Sequence, residues 1–276
     1  AEDNSNKKQI TKNNKNNRQL TFNSDRTKGV YISGRNNIII LDLVSFKTNT
    51  IVTDELWGFY NSNPYFSPDD KYVVYNAHRN FESDIFTYEI AIKKTTNLTN
   101  TKVSESEPTW SPDGKFIYFS SDKLQPGYPM GTTNSKIYQM ALDKYEAPFK
   151  LDKIEKLFEE EKKEESKSKK EKDKNKEEEK VVKPVVTINP NNTMERLKQI
   201  SPSFGQQENI TVITKDDKTY IYYISNHSEG KNKLWKTTLE PFEKNKTVSV
   251  SDKGINGYQI VSSSKNNYIL FDGAIA

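Results

Sequence analysis

Pro108-Thr109-Trp110-Ser111-Pro112-Asp113-Gly114-Lys115-Phe116-Ile117-Tyr118-Phe119-Ser120-Ser121-Asp122 reads as one β-hairpin. Thr109 and Trp110 end a short strand. Ser111-Pro112-Asp113-Gly114 has turn chemistry: proline presets φ, aspartate bonds back to the backbone and glycine accepts a positive φ. Lys115 to Ser121 is rich in aromatic and β-branched residues and reads as the return strand. The hairpin recurs upstream as Pro64-Tyr65-Phe66-Ser67-Pro68-Asp69-Asp70-Lys71-Tyr72-Val73-Val74-Tyr75, 44 residues from Pro64 to Pro108. A supersecondary unit repeating at that period marks the blade of a β-propeller. The predicted fold class is all-β, a propeller of four-stranded blades.

The repeat extends in both directions. Upstream, Gln19 to Phe22, Gly29 to Ser33, Asn37 to Leu43 and Lys47 to Thr53 read as the four strands of a first blade. Asn23-Ser24-Asp25-Arg26 stands there in place of Ser-Pro-Asp-Gly. Third strands share a polar, an aliphatic and a large residue: Asn37-Ile38-Ile39, Asp84-Ile85-Phe86, Lys136-Ile137-Tyr138 and Lys233-Leu234-Trp235. That alternation suits half-buried strands. Downstream, Asn209 to Thr214, the turn Lys215-Asp216-Asp217-Lys218, Tyr220 to Ser225 and Leu234 to Leu239 build a fourth blade. Tyr258 to Val261 and Tyr268 to Phe271 open a fifth.

Leu151, Ile154, Leu157 and Phe158 have helical spacing. Glu159 to Lys180 then holds nine Glu, one Asp and nine Lys, a charged segment that buries no apolar area. Val181 to Ile188 resumes β character, with Pro184 indicating an edge position. The expected organisation is a disordered or strand-contributing segment over 1–17, blades one to three over 18–150, a Lys/Glu-rich insertion over 151–180, and blade four with the start of a fifth over 181–276. Propellers close into rings. A sequence ending inside a fifth unit predicts an incomplete or truncated ring, a piece of a longer chain, or a ring closed by Lys8 to Thr11.

The totals restrict function. Of 276 residues, 42 are basic and 38 acidic, leaving a net charge of +4 that is too balanced to favour nucleic acid. There is no cysteine, hence no thiolate site. No apolar run approaches the roughly 18 residues of a membrane span, and no leader is read at Ala1.

Candidate chemistry is sparse. Only His78 and His227 could act as a triad base. His78 lies ten residues after Pro68, as Asp122 lies ten after Pro112, so the register puts both histidines in the turn between second and third strands. Asp69, Asp70, Asp113, Asp216 and Asp217 form no calcium-loop spacing and fit one turn each. No histidine pair has zinc spacing. Trp110 and Trp235 occupy repeat positions and read as core. Trp57, with Phe59 and Tyr60 in the linker 54–63, is the candidate peptide or partner surface. No catalytic, cofactor-binding or metal-binding residue is assigned, and no cofactor is expected.

At the Ser-Pro-Asp-Gly hairpins the chain resembles the propeller repeats of TolB-like proteins. The order of repeats, charged insertion, Lys183-Pro184-Val185-Val186-Thr187-Ile188, Glu195-Arg196-Leu197 and Gln199-Ile200 resembles the bacterial homologues of tricorn protease. That resemblance implies a propeller preceding a PDZ domain and a carboxy-terminal-processing serine peptidase core. The propeller would gate or channel peptides, with peptide or protein partners, possible oligomerisation and a periplasmic or otherwise extracytoplasmic location. The family's catalytic residues match no position in this sequence. The other reading is a stand-alone TolB-like propeller that works through protein–protein contacts.

Overall fold

The computed structural model describes residues 9–56, 63–79, 82–124, 126, 134–144, 183–215, 217–262, 267–271 and 274–275. Four four-stranded sheets and one three-stranded sheet are present among them, each an antiparallel meander. Blade one is β1 (Asn17–Phe22), β2 (Lys28–Ser33), β3 (Asn37–Asp42) and β4 (Thr48–Thr53). Blade two is β5 (Tyr65–Phe66), β6 (Tyr72–Arg79), β7 (Glu82–Glu89) and β8 (Lys94–Asn97). Blade three is β9 (Glu105–Trp110), β10 (Phe116–Ser121), β11 (Lys136–Ala141) and β12 (Leu197–Gln199). Blade four is β13 (Gln207–Lys215), β14 (Lys218–Ser225), β15 (Lys233–Leu239) and β16 (Lys246–Ser249). The fifth sheet is β17 (Tyr258–Ser262), β18 (Asn267–Phe271) and β19 (Ala274–Ile275). The expected all-β blades are therefore present, and the five sheets are not joined into a closed ring by strand pairing among the described residues.

Side-chain chemistry makes the hairpins. The Ser111 hydroxyl donates to Asp113 and accepts the Phe116 N–H at 2.9 Å, while Asp113 accepts the Lys115 N–H at 3.1 Å. Ser67, Asp69, Lys71 and Tyr72 repeat the arrangement. Blade one substitutes Asn23, whose carbonyl oxygen accepts the Lys28 N–H at 2.8 Å, and Asp25, which accepts the Thr27 N–H at 3.0 Å. Gly114 closes its turn at φ 70°; Asp70 and Arg26 adopt the same left-handed geometry at φ 61° and 56°. Glycine does so freely, and the other two carry the cost of a crowded Cβ.

The core lies between blades. Alternate strand residues face opposite sides, so Val73 and Tyr75 meet Val30 and Ile32 of blade one. Val74 of the same strand joins Trp110, Ile117 and Phe119 of blade three. Tyr118 and Ile137 pack with Ile221 and Tyr223 of blade four. Ile224 and Leu234 pack with Tyr258, Ile269 and Phe271 of the fifth sheet. Burying each such side chain contributes about 1.5–3 kcal/mol.

Three expectations are corrected. Blade three does not end at residue 150: its outermost strand is β12, on the far side of the 151–180 insertion from β11. Lys183 to Ile188 is not an edge strand. It is an unpaired extended strap whose polar groups go to turns, with Lys183 ion-paired to Asp70 and the Val186 N–H donated to Asp69 at 3.1 Å. Gln9 to Thr11 form no strand, so they do not close a ring. The amphipathic turn expected at 151–158 and the charged run after it lie outside the described residues.

Candidate interaction face

Because each blade is a meander, the first and third turns of every blade emerge on one face. The second turns and the links to the next blade emerge on the other. The linker expected to form a binding surface leaves from this second face. Trp57, Phe59 and Tyr60 themselves lie outside the described residues, but the three residues before Trp57 are held from both blades. Asp54 accepts from Arg79 at 2.6 Å and donates its own N–H to the Asn36 carbonyl at 2.8 Å. Glu55 accepts the His78 N–H at 2.9 Å, and Leu56 donates to the Arg35 carbonyl at 2.8 Å. The Leu56 carbonyl accepts from Arg18 at 3.0 Å, and its side chain is fully buried. The Arg79 guanidinium also lies over the Phe86 ring, 4.7 Å from its centroid.

His78 is not a turn residue. It lies within β6, paired with Ser83, because blade two carries its second and third strands outward to an Arg79–Glu82 pair. The count from Pro68 locates it within the repeat, but the strand runs further than β10 does. His78 is buried, and burial lowers its pKa against the opposing pull of Glu55. Its role is structural, since its backbone anchors the base of the linker.

His227 does sit in the turn after β14. Its Nδ1 is 2.8 Å from the Ser225 hydroxyl. That pair is not a nucleophile and base in waiting, since Ser225 is 1% exposed and no substrate carbonyl could reach it. The ring instead lies tilted by 46° against Trp235 with centroids 4.0 Å apart, and Phe204 meets it edge-on at 5.8 Å. Trp235 Nε1 donates to the Ser225 carbonyl at 3.1 Å, which fixes the indole. Burial lowers the His227 pKa, favouring the neutral ring. Phe204, against this pair, is 62% exposed. Trp235, expected in the core, is half-buried and packs against the core between blades three and four while meeting His227 with its indole. Trp110 is buried as expected and bonds across to the Tyr65 carbonyl at 3.2 Å. Phe204 gives no signal in the sequence because the link after blade three carries no repeat marker, and Lys102 stands at the matching place after blade two.

The aspartates occupy turns, as expected. Asp69 and Asp113 serve their own hairpins. Asp70 bonds the Ser24 hydroxyl at 2.9 Å and Lys183. Asp217 adopts φ 58° in the blade-four turn, and Asp216 lies outside the described residues. No three acidic, histidine or cysteine groups converge on a metal position among the described residues.

Residues 2–194 match the family model described as the TolB beta propeller domain. The Tol-Pal system protein TolB of Francisella tularensis subsp. mediasiatica (strain FSC147) is 37% identical over 81 residues, 29% of this chain and 17% of that protein. The chain thus spans about a sixth of the length of the curated relatives it matches. The crystal structure of TolB from Acinetobacter baumannii superposes with a TM-score of 0.55 at 14% identity, covering 96% of this chain and 54% of the other. The crystal structure of the tricorn protease gives 0.57 at 16% identity, covering 94% of this chain and 25% of the other. At those identities the two structures attest the fold.

Proposed function

The chain belongs to the TolB β-propeller family, and from that premise we propose that it is a non-catalytic module that binds peptide or protein on the face carrying Asp54 to Leu56 and Phe204. The observation that carries this reading is the exposed Phe204 ring set edge-on against His227, which lies on the hydrogen-bonded Trp235 indole. A large apolar group held rigid before binding loses little side-chain entropy on contact, which is why aromatic anchors dominate protein interfaces.

Within that reading, the propeller gates or channels peptides for a tricorn-like serine peptidase, with PDZ and peptidase regions as partners in a longer protein. The order of hairpins, insertion and Lys-Pro-Val segment supports it. A stand-alone TolB-like propeller is the second reading, favoured by the 37% identity to TolB over 81 residues. The extracytoplasmic location follows the same resemblances, and cell fractionation tests it. No helix among the described residues is long and apolar enough to cross a membrane.

The test is fluorescence anisotropy with labelled unfolded polypeptides and with labelled folded proteins from the same cell envelope. Binding that weakens at least fivefold in Phe204→Ala supports the module, a loss of about 1 kcal/mol. A preference for unfolded chains favours the gating reading, and a preference for folded partners the stand-alone one. No effect of Phe204→Ala on either class overturns the assigned face.

A further inference from the structure

Glu105 opens β9 and is 1% exposed. Its surroundings recur in the next blade, where Gln207 opens β13. Both residues pair with a serine of the second strand, Glu105 with Ser121 and Gln207 with Ser225. Both follow a link whose first hydroxyl, Thr99 or Ser201, accepts an N–H from the third strand of the blade before, Ile85 at 3.0 Å or Ile137 at 2.9 Å. Asn17 stands opposite Ser33 in blade one, where its amide nitrogen donates to Asn13 at 2.7 Å and its Oδ1 is buried without a hydrogen-bond partner. The position thus holds a carboxamide at the seam before blade four and a carboxyl group at the seam before blade three.

The amide of Gln207 uses both ends. Its oxygen accepts from Ser201 and from the Ile137 N–H at 3.2 Å, and its nitrogen donates to the Pro202 carbonyl at 2.8 Å. Glu105 accepts with Oε1 from the Thr101 hydroxyl at 2.5 Å and, more weakly, from Ser121 at 3.5 Å. Oε2 is buried with no hydrogen-bond partner. A carboxylate oxygen without donors is costly to bury, and taking up a proton removes the charge that makes it so.

We propose that Glu105 is a proton-dependent fastener between blades two and three: as the neutral acid it closes the seam, and on losing its proton to solvent it loosens it. The charged and titratable groups around it agree. From blade two the Asp84 carboxylate faces it, itself bonded by Asn97, Thr99 and Thr101. From blade three come Ser121 and then Asp122, whose charge acts on Lys136. Lys136 is tied to the Asn134 and Gly205 carbonyls and does not reach Glu105 as a counter-ion. Burial pushes the Glu105 carboxyl up to about 8, with the Asp84 charge adding and the Thr101 bond opposing.

The sign follows. The unfolded chain gives up this proton in the ordinary carboxylate range, while the folded chain holds it to about 8. The stabilisation is therefore complete at acid pH and is lost as pH rises toward and through that value. The experiment measures thermal unfolding midpoints from mildly acid to mildly alkaline pH for the wild type and Glu105→Gln, with hydrogen exchange of residues 98–106 corrected for intrinsic rates. The wild-type midpoint is expected to fall as pH rises, and protection at this seam to drop by up to about tenfold per pH unit near the titration. Glu105→Gln is expected to flatten both. Equal pH slopes in the two proteins overturn the proposal, as does a loss of stability in Glu105→Gln that is the same at every pH. If Glu105→Gln does not fold, wild-type exchange alone decides: protection at 98–106 that does not change with pH overturns the fastener.

Discussion

Lys183 and Asp70 stand 113 residues apart in sequence and 2.5 Å apart in the fold. Asp70 also accepts the Ser24 N–H at 3.2 Å and the Ser24 hydroxyl at 2.9 Å. One carboxylate in the turn of blade two thus holds the turn of blade one and the strap after the insertion. Its backbone is left-handed at φ 61°, which glycine would adopt more easily, but glycine has no side chain to make these bonds.

Replacing Asp70 separates those contributions. Asp70→Gly relieves the backbone but abandons the contacts; Asp70→Ala abandons the contacts and keeps the strain. Losing the Ser24 bonds costs both variants about 1–2 kcal/mol; Asp70→Ala also keeps the left-handed strain, so it is the less stable of the two by denaturant titration. In both variants the Val186 and Asn189 amides should exchange faster, because the strap loses its ionic anchor. Unchanged exchange there would show that the strap does not depend on Asp70.

At Gly114 the opposing demand is spatial. A Cβ there would lie 2.6 Å from Val186 Cγ2 at a φ of 70°. Gly114→Ala should cost about 1–3 kcal/mol. Adding Val186→Ala removes the collision but not the backbone term, so a double-mutant cycle on urea unfolding should give a favourable coupling of about 1 kcal/mol. Strict additivity would mean that the strap yields without resistance.

The two histidines make the protein sensitive to acid. Burial lowers the pKa of both His78 and His227, so the folded state resists taking protons that the unfolded chain takes near the ordinary histidine value. Their contribution is full above about pH 6.5 and is lost as pH drops through the lowered folded values, opposite in sign to that of Glu105. His78→Gln should reduce the slope of unfolding free energy below about pH 6.5 by a fraction of about 1.4 kcal/mol per unit. His227 and the carboxylates keep the remaining slope. An identical slope in the variant would remove His78 from the account.

The hairpins are legible in the sequence because their turns are made by side chains that read locally: Ser111 and Asp113, Ser67 and Asp69, even Asn23 and Asp25 in place of the motif. What is not legible depends on partners distant in sequence. His78 belongs to a strand or a turn according to how far β6 and β7 stay paired, which no count from Pro68 reveals. The three residues of β12 join blade three only because β11 leaves an edge free for them. The Glu105 position stands out only when Gln207 is seen in the equivalent frame. Phe204 is an ordinary loop aromatic until His227 and Trp235 are found beneath it.

The insertion leaves after β11 and returns to β12, the outermost strand of its sheet. The Asn189 N–H bonds the Leu142 carbonyl at 2.8 Å, and Arg196 ties the Asn189 and Asn191 carbonyls to Ala141, cinching the two ends of the excursion together. The described chain is thus clamped on both sides of residues 145–182, at Leu142 through Asn189 and Arg196 and at Lys183 through Asp70 of blade two. The pairing of β11 with β12 is held by these clamps whatever the length and charge between them. The architecture and the appendage are free to evolve on separate terms, one under the discipline of packing and the other under that of whatever it touches.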